Sequence, residues 1–143
     1  VGTSLVGSFG LAASSKERFD EARALQYLQY ARVAFCARDS ILKWSCGDMC
    51  KDTKAERGRV TLIGPGEAFG VRAYVARVPD TRTCIIAFRG SVSTKNWMTD
   101  AEFWTQPWRP YWCHNCEVHH GIAAAYDELR IELREAIART DCT

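Results

Sequence analysis

The run Cys84-Ile85-Ile86-Ala87-Phe88 constrains this chain more than any other stretch. A short apolar run of β-formers reads as a buried strand. Arg89-Gly90-Ser91 ends it, because glycine permits a sharp turn and a close backbone approach. A short polar and aromatic segment follows, carrying Asn96, Trp97 and Asp100. Upstream, Pro79-Asp80-Thr81-Arg82 has the composition of a tight turn. Phe69 to Val78 alternates in part, so it pairs with Thr83 to Phe88 as an antiparallel hairpin. Arg59 to Ile63 reads as a further strand, and Gly64-Pro65-Gly66 as the turn that leaves it.

Two helices flank these strands. Ser14 and Glu17 have capping-box spacing. From there Phe19, Ala22, Leu25, Tyr27, Leu28, Ala31, Ala34 and Phe35 recur at helical spacing to about Cys36, which predicts an amphipathic packing helix. Ile122, Ala125, Tyr126, Leu129, Leu133, Ala136 and Ile137 give the last helix its apolar face. Between them, Cys46 to Cys50 sits in a polar loop, Lys51 to Arg59 is charged and exposed, and Phe103 to Trp112 reads as an aromatic loop. With no repeat or linker, residues 1–143 form one unit, with 1–15 as an N-terminal extension.

A length of 143 residues is enough for one domain with a core. A net charge of +2 is too small to argue for nucleic acid. No apolar run reaches the roughly 18 residues of a membrane span. Val1 to Ala13 is small and apolar, and reads as a processed mature end or the remnant of a leader, without the basic start of a signal peptide. Seven cysteines at this length point to disulfides in an oxidising compartment, or to metal, and the odd count leaves one thiol over. Cys113 and Cys116, with His114, His119 and His120 nearby and Cys46 and Cys50 in reserve, have the ligand types of a zinc site. Two local bridges, Cys46–Cys50 and Cys113–Cys116, are the competing reading, and no cofactor is expected.

The stretch Phe88-Arg89-Gly90-Ser91, with Asn96-Trp97 after it, resembles the class 3 (fungal-type) lipases. Tyr30 to Cys36 is similar to the end of that family's first helix, and His119-His120-Gly121 through Tyr126 to its entry into a later one. The resemblance implies an α/β-hydrolase fold, of which this chain is the N-terminal half. It implies that Ser91 supplies a backbone N–H to the oxyanion hole, a donor aimed where charge develops in reaction. It makes Val92, Ser93, Thr94, Lys95, Asn96, Trp97 and Met98 the lid, with Trp97 and Met98 on its apolar face. Arg89, Gly90, Asp100, His119 and Gly121 take structural roles. The family's short-range cysteine pairs favour disulfides at Cys46–Cys50 and Cys113–Cys116 over zinc. The family partner of Cys36 is missing here, so Cys36–Cys142 is a possible substitute pair.

The nucleophile elbow Gly-x-Ser-x-Gly does not occur in the sequence. The Ser-Asp-His set is therefore absent, and the chain alone should not hydrolyse esters. Three readings follow: one segment of a complete lipase acting on lipid or ester substrates, with contact to a lipid interface; a non-catalytic, lipase-like assembly subunit whose open sheet is covered by a protein partner; and a small zinc-stabilised binding module. Secretion, or another oxidising lumen, fits the cysteines.

Overall fold

The computed structural model describes residues 19–66, 68–81, 83–90, 104–108, 110 and 113–142. Three short helices come first: α1 (Glu21–Val33), α2 (Arg38–Leu42) and α3 (Asp48–Lys51). Strands β1 (Val60–Ile63), β2 (Ala73–Arg77) and β3 (Cys84–Phe88) follow, then β4 (Thr105–Trp108), β5 (Cys116–His119) and the long helix α4 (His120–Arg139).

Strands β1, β2 and β3 form one antiparallel sheet in that order, with Val60 opposite Ala76 and Val75 opposite Ile86. The period-2 alternation of strand side chains sends successive residues to opposite faces. Leu62, Tyr74, Ala76 and Ala87 therefore meet Val33, Ala34, Ile41 and Cys46 from the α1–α3 side. Ile63, Ala73 and Val75 meet Leu129 and Ala136 of α4 on the other. Helices thus cover both faces of the sheet, and β2, buried along most of its length, lies at the centre. Tyr74 anchors the first layer. Its buried hydroxyl donates to the Tyr30 carbonyl at 2.7 Å, and its ring meets Trp44 edge-on at 5.7 Å.

The hairpin from β2 to β3 stands where the sequence places it, with β2 shorter than the expected strand from Phe69. Several expectations change. Helix α1 begins at Asp20, whose side chain accepts from the Arg23 amide at 3.0 Å, and the expected cap at Ser14 lies outside the described residues. Its apolar spacing does not seat it fully. Tyr30 and Val33 are buried, while Leu25, Tyr27 and Leu28 are each more than half exposed. β3 is an edge strand among the described residues and buries only Ala87, with Ile86 and Phe88 exposed. The polar loop around Cys46 contains α3, started by Gly47 at φ +60. The aromatic loop contains β4, which pairs antiparallel with β5 and places Trp108 opposite Cys116.

The cysteines correct two expectations. Cys46 and Cys50 are free thiols, as is Cys36. The turn at Gly47 brings Cys50 back onto the chain, where its sulfur accepts the Cys46 amide at 3.2 Å and packs in the core without a bond. Cys142 pairs with Cys84, not Cys36, because the chain leaving α4 runs along the α4 side of the sheet, the face to which Cys84 points. Cys36 sits on the opposite side, with the α1–α3 layer. Cys113 and Cys116 are bridged as expected, with Cα atoms 5.9 Å apart.

Candidate functional site

The C-terminal end of β3 is where the sequence motif places its chemistry. The Arg89 amide donates to the Arg72 carbonyl at 2.8 Å, which carries the sheet pairing one residue past β3. The Arg89 guanidinium donates to the Gly70 carbonyl at 3.1 Å and ties the strand end to the turn before β2. Gly90 then passes under the Phe35 ring: a Cβ at Gly90 would lie 3.3 Å from Phe35 Cζ, tighter than ordinary contact. A side chain there would push the ring or the backbone away, so the close approach depends on glycine. Ser91, Val92 to Met98 and Asp100 lie outside the described residues.

The turn from Gly64 to Gly70 packs beside this strand end. It is held by two carboxylates that give no signal in the sequence. Glu128 accepts from the Ala68 amide at 2.7 Å and the Phe69 amide at 3.4 Å, and Glu132 from the Gly64 amide at 3.1 Å. Their four-residue spacing puts both on one face of α4. Gly64 (φ +72) could not carry a Cβ, which would collide with the Val71 carbonyl.

Three arginines gather on the α1 side of the same end. Arg72 donates to the carbonyls of Ala34 and Cys36, both at 2.8 Å, just past the last turn of α1. A cation is favoured at a helix C-terminus, where carbonyls lack partners. Arg38 donates to Gly64 at 2.8 Å. Burial, then the neighbouring Arg89 and Arg38, lower the pKa of Arg72.

His119 and Gly121 sit away from the strand end, at the start of α4. His119 is the N-cap: its Nδ1 accepts from the Ile122 amide at 3.3 Å. Gly121 is buried in the first turn. The His120 amide donates to the Trp104 carbonyl at 3.0 Å, and the two rings meet tilted at 33° with centroids 5.2 Å apart, which fixes the β4–β5 hairpin on the helix start. The structure gives no support to a zinc centre here: Cys113 and Cys116 bond to each other, and no group of three or more His, Cys, Asp or Glu is arranged to hold a metal among the described residues.

Cys46 lies in the first core layer. Burial, then contact with Cys36 and Cys50, push its pKa up, so this thiol stays protonated.

Residues 85–141 match the family model for class 3 lipases. The secreted mono- and diacylglycerol lipase 1 of Fusarium solani is 27% identical over 122 residues, which is 78% of this chain and 34% of that protein. A lipase of Rhizomucor miehei is 34% identical over 92 residues, 63% of this chain and 23% of the relative. The chain thus spans well under half the length of these relatives. In three dimensions it resembles a triacylglycerol lipase described as having a serine protease triad, with a TM-score of 0.61, 27% identity, and coverage of 81% of this chain and 42% of that one. A fungal lipase solved with an inhibitor matches with a TM-score of 0.63 at 24% identity, over 84% of this chain and 46% of the other, and shares the fold. Both neighbours are fungal lipases of the α/β-hydrolase type. Over residues 85–141 the chain thus resembles the class 3 lipase family in sequence, and over most of its length it resembles fungal lipases in fold.

Proposed function

We propose that this chain supplies the oxyanion and lid portion of a carboxylic ester hydrolase acting on acylglycerols. Ser91 donates to the oxyanion of the tetrahedral intermediate, and Val92 to Met98 form the lid. Arg89 and Gly90 set the strand end that precedes Ser91 in the sequence, Asp100 supports the lid segment, and His119 and Gly121 fix the start of α4. The observation that carries this reading is the strand end itself. Arg89 is locked to Arg72 and Gly70, and Gly90 lies in close contact with Phe35, immediately before Ser91 within a segment that matches the lipase family. An oxyanion donor must be held rigidly before the charge forms, and a tethered strand end provides that.

The elbow Gly-x-Ser-x-Gly does not occur in these 143 residues, so in this reading the nucleophile, its histidine and the acid are supplied from elsewhere. They would come from a further portion of the domain. That portion would also cover β3, whose Ile86 and Phe88 are 43% and 45% exposed. The exposed strand equally favours a second reading, a non-catalytic subunit whose partner protein covers the same strand. The Cys84–Cys142 and Cys113–Cys116 bridges, and the word "secreted" in the name of the Fusarium solani relative, support an oxidising, extracellular setting. No helix among the described residues is long and apolar enough to cross a membrane.

One experiment separates the two readings. The purified chain is weighed intact, before and after reduction, and assayed with a p-nitrophenyl ester. The lipase reading predicts no turnover from the 16.1 kDa chain alone and turnover when a polypeptide bearing Gly-x-Ser-x-Gly accompanies it. A native complex with a polypeptide lacking that motif, and no turnover, would establish the assembly subunit instead.

A further inference from the structure

The turn between β1 and β2 is gripped at three points. At its start, Gly64 donates its amide to Glu132 at 3.1 Å and accepts Arg38 at its carbonyl at 2.8 Å. In its middle, the Ala68 and Phe69 amides converge on the Glu128 carboxylate at 2.7 and 3.4 Å. At its end, the Gly70 carbonyl accepts the Arg89 guanidinium at 3.1 Å. The turn also closes on itself. The Gly70 amide donates to the Gly66 carbonyl and the Gly66 amide to the Val71 carbonyl, both at 2.9 Å. Successive backbone amides turned toward one anion form a nest, and hydrogen bonds to an ionised acceptor are the strong ones. The nest is tightly filled, since a Cβ at Gly66 would collide with the Glu128 carboxylate.

These grips reach different places. Glu132 and Arg38 fix the point where β1 enters the turn. Glu128 holds the residues that immediately precede Gly70, and the Gly70 carbonyl holds Arg89, next to Gly90 and then Ser91 in the sequence. The other hold on this strand end bypasses Glu128. The Arg89 amide donates to the Arg72 carbonyl at 2.8 Å, and the Arg72 side chain is anchored on Ala34 and Cys36 past the end of α1. The contact from α4 to the strand end therefore runs from Glu128 through the Phe69–Gly70 peptide to Arg89.

We propose that Glu128 is a positioning residue for the strand end: from α4 it fixes the Phe69–Gly70 peptide, and through Arg89 the backbone that leads into Ser91. The proposal rests on the reading of Ser91 as the oxyanion donor. Such a donor acts only if it is held before charge forms, and the residues behind it supply that rigidity.

Amide hydrogen exchange of the full chain, followed by NMR, tests this. The quantity read is the exchange rate at residue 89 divided by that of Tyr74 in the central strand, so that a change in global stability cancels. Glu128→Ala should raise this ratio by about tenfold or more, and Glu128→Gln, which keeps one acceptor oxygen, by less. Glu135→Ala, which removes a carboxylate paired with Arg139 elsewhere on α4, should leave it unchanged. Arg89→Met cuts the link to Gly70. In that background Glu128→Ala should change the ratio by less than about twofold, because the two substitutions break one route. A ratio unchanged by Glu128→Ala, or a rise that persists in full in the Arg89→Met background, would overturn the proposal. If Arg89→Met fails to fold, the graded effect of Glu128→Ala and Glu128→Gln against Glu135→Ala decides it, and equal ratios in all three would overturn it. Exchange is read without ester turnover, so failure here leaves the oxyanion reading standing, while failure of that reading would appear as a turnover unaffected at Ser91.

Discussion

Glu128 shows how much of this strand end depends on single side chains. Its carboxylate is the acceptor for both the Ala68 and Phe69 amides. Glu128→Ala leaves both without that acceptor and should cost about 1–2 kcal/mol, a fall of about 3–6 °C in melting temperature for a chain of this size. Gly66→Ala should act through the same contact, because a Cβ there would collide with the Glu128 carboxylate. The two substitutions should therefore not add: the double variant should melt close to the worse single one, and full additivity would show that the turn is held by something else. Cys46 makes a separate prediction. Its pKa is raised in the fold by burial and by Cys36 and Cys50, so the unfolded chain loses this proton first as pH rises. The contribution of the group is fully present below about pH 8.5, the range where an unperturbed thiol ionises, and is lost progressively above it. Urea midpoints should fall between pH 8 and 10, less steeply in Cys46→Ala. Alkylation of Cys46 by iodoacetamide should be far slower in the folded chain than in urea, since only the thiolate reacts.

The Cys84–Cys142 bridge joins the start of β3 to the residues after α4 across a separation of 58 residues. Closing a loop of that length stabilises the fold by about 2–4 kcal/mol, chiefly by restricting the unfolded chain. The double variant Cys84→Ser/Cys142→Ser should thus melt about 5–15 °C lower, while far-ultraviolet circular dichroism at 20 °C keeps its α/β shape. The bridge was hidden in the sequence because seven cysteines fix no pairing, and only the fold reveals that Cys84 points to the α4 side. The β2–β3 hairpin was legible, since an alternating run, a Pro-Asp turn and an apolar run follow one another directly. β4 was not. Thr105-Gln106-Pro107-Trp108 has a proline where a ladder donor is expected, which the two-stranded ribbon tolerates. The exposed side of α1 was also illegible, because periodicity says which residues share a face and not what that face meets. At the candidate site the turn Arg89-Gly90 was visible as a motif, while Arg38, Arg72, Glu128 and Glu132 looked like ordinary surface charges until the fold brought them together.

Helices on both faces of a three-stranded sheet give this chain two apolar layers, yet β3 has no neighbour on its outer side among the described residues. An edge strand with Ile86 and Phe88 exposed is a template for another strand. The lipase relatives extend well beyond the matched region, and a continuing sheet beside β3 would explain that open edge. The central claim is that the end of β3 presents Ser91 as an oxyanion donor once a triad is in place. It is tested most directly by kcat of a chimaera in which residues 85–141 replace the matching segment of the Rhizomucor miehei lipase, with folding verified by circular dichroism. The account predicts that the chimaera hydrolyses a triacylglycerol and that Ser91→Pro, which removes the backbone N–H, lowers kcat by about 10²–10³-fold with the fold kept. A folded chimaera with no turnover, or one whose kcat is unchanged by Ser91→Pro, would contradict it.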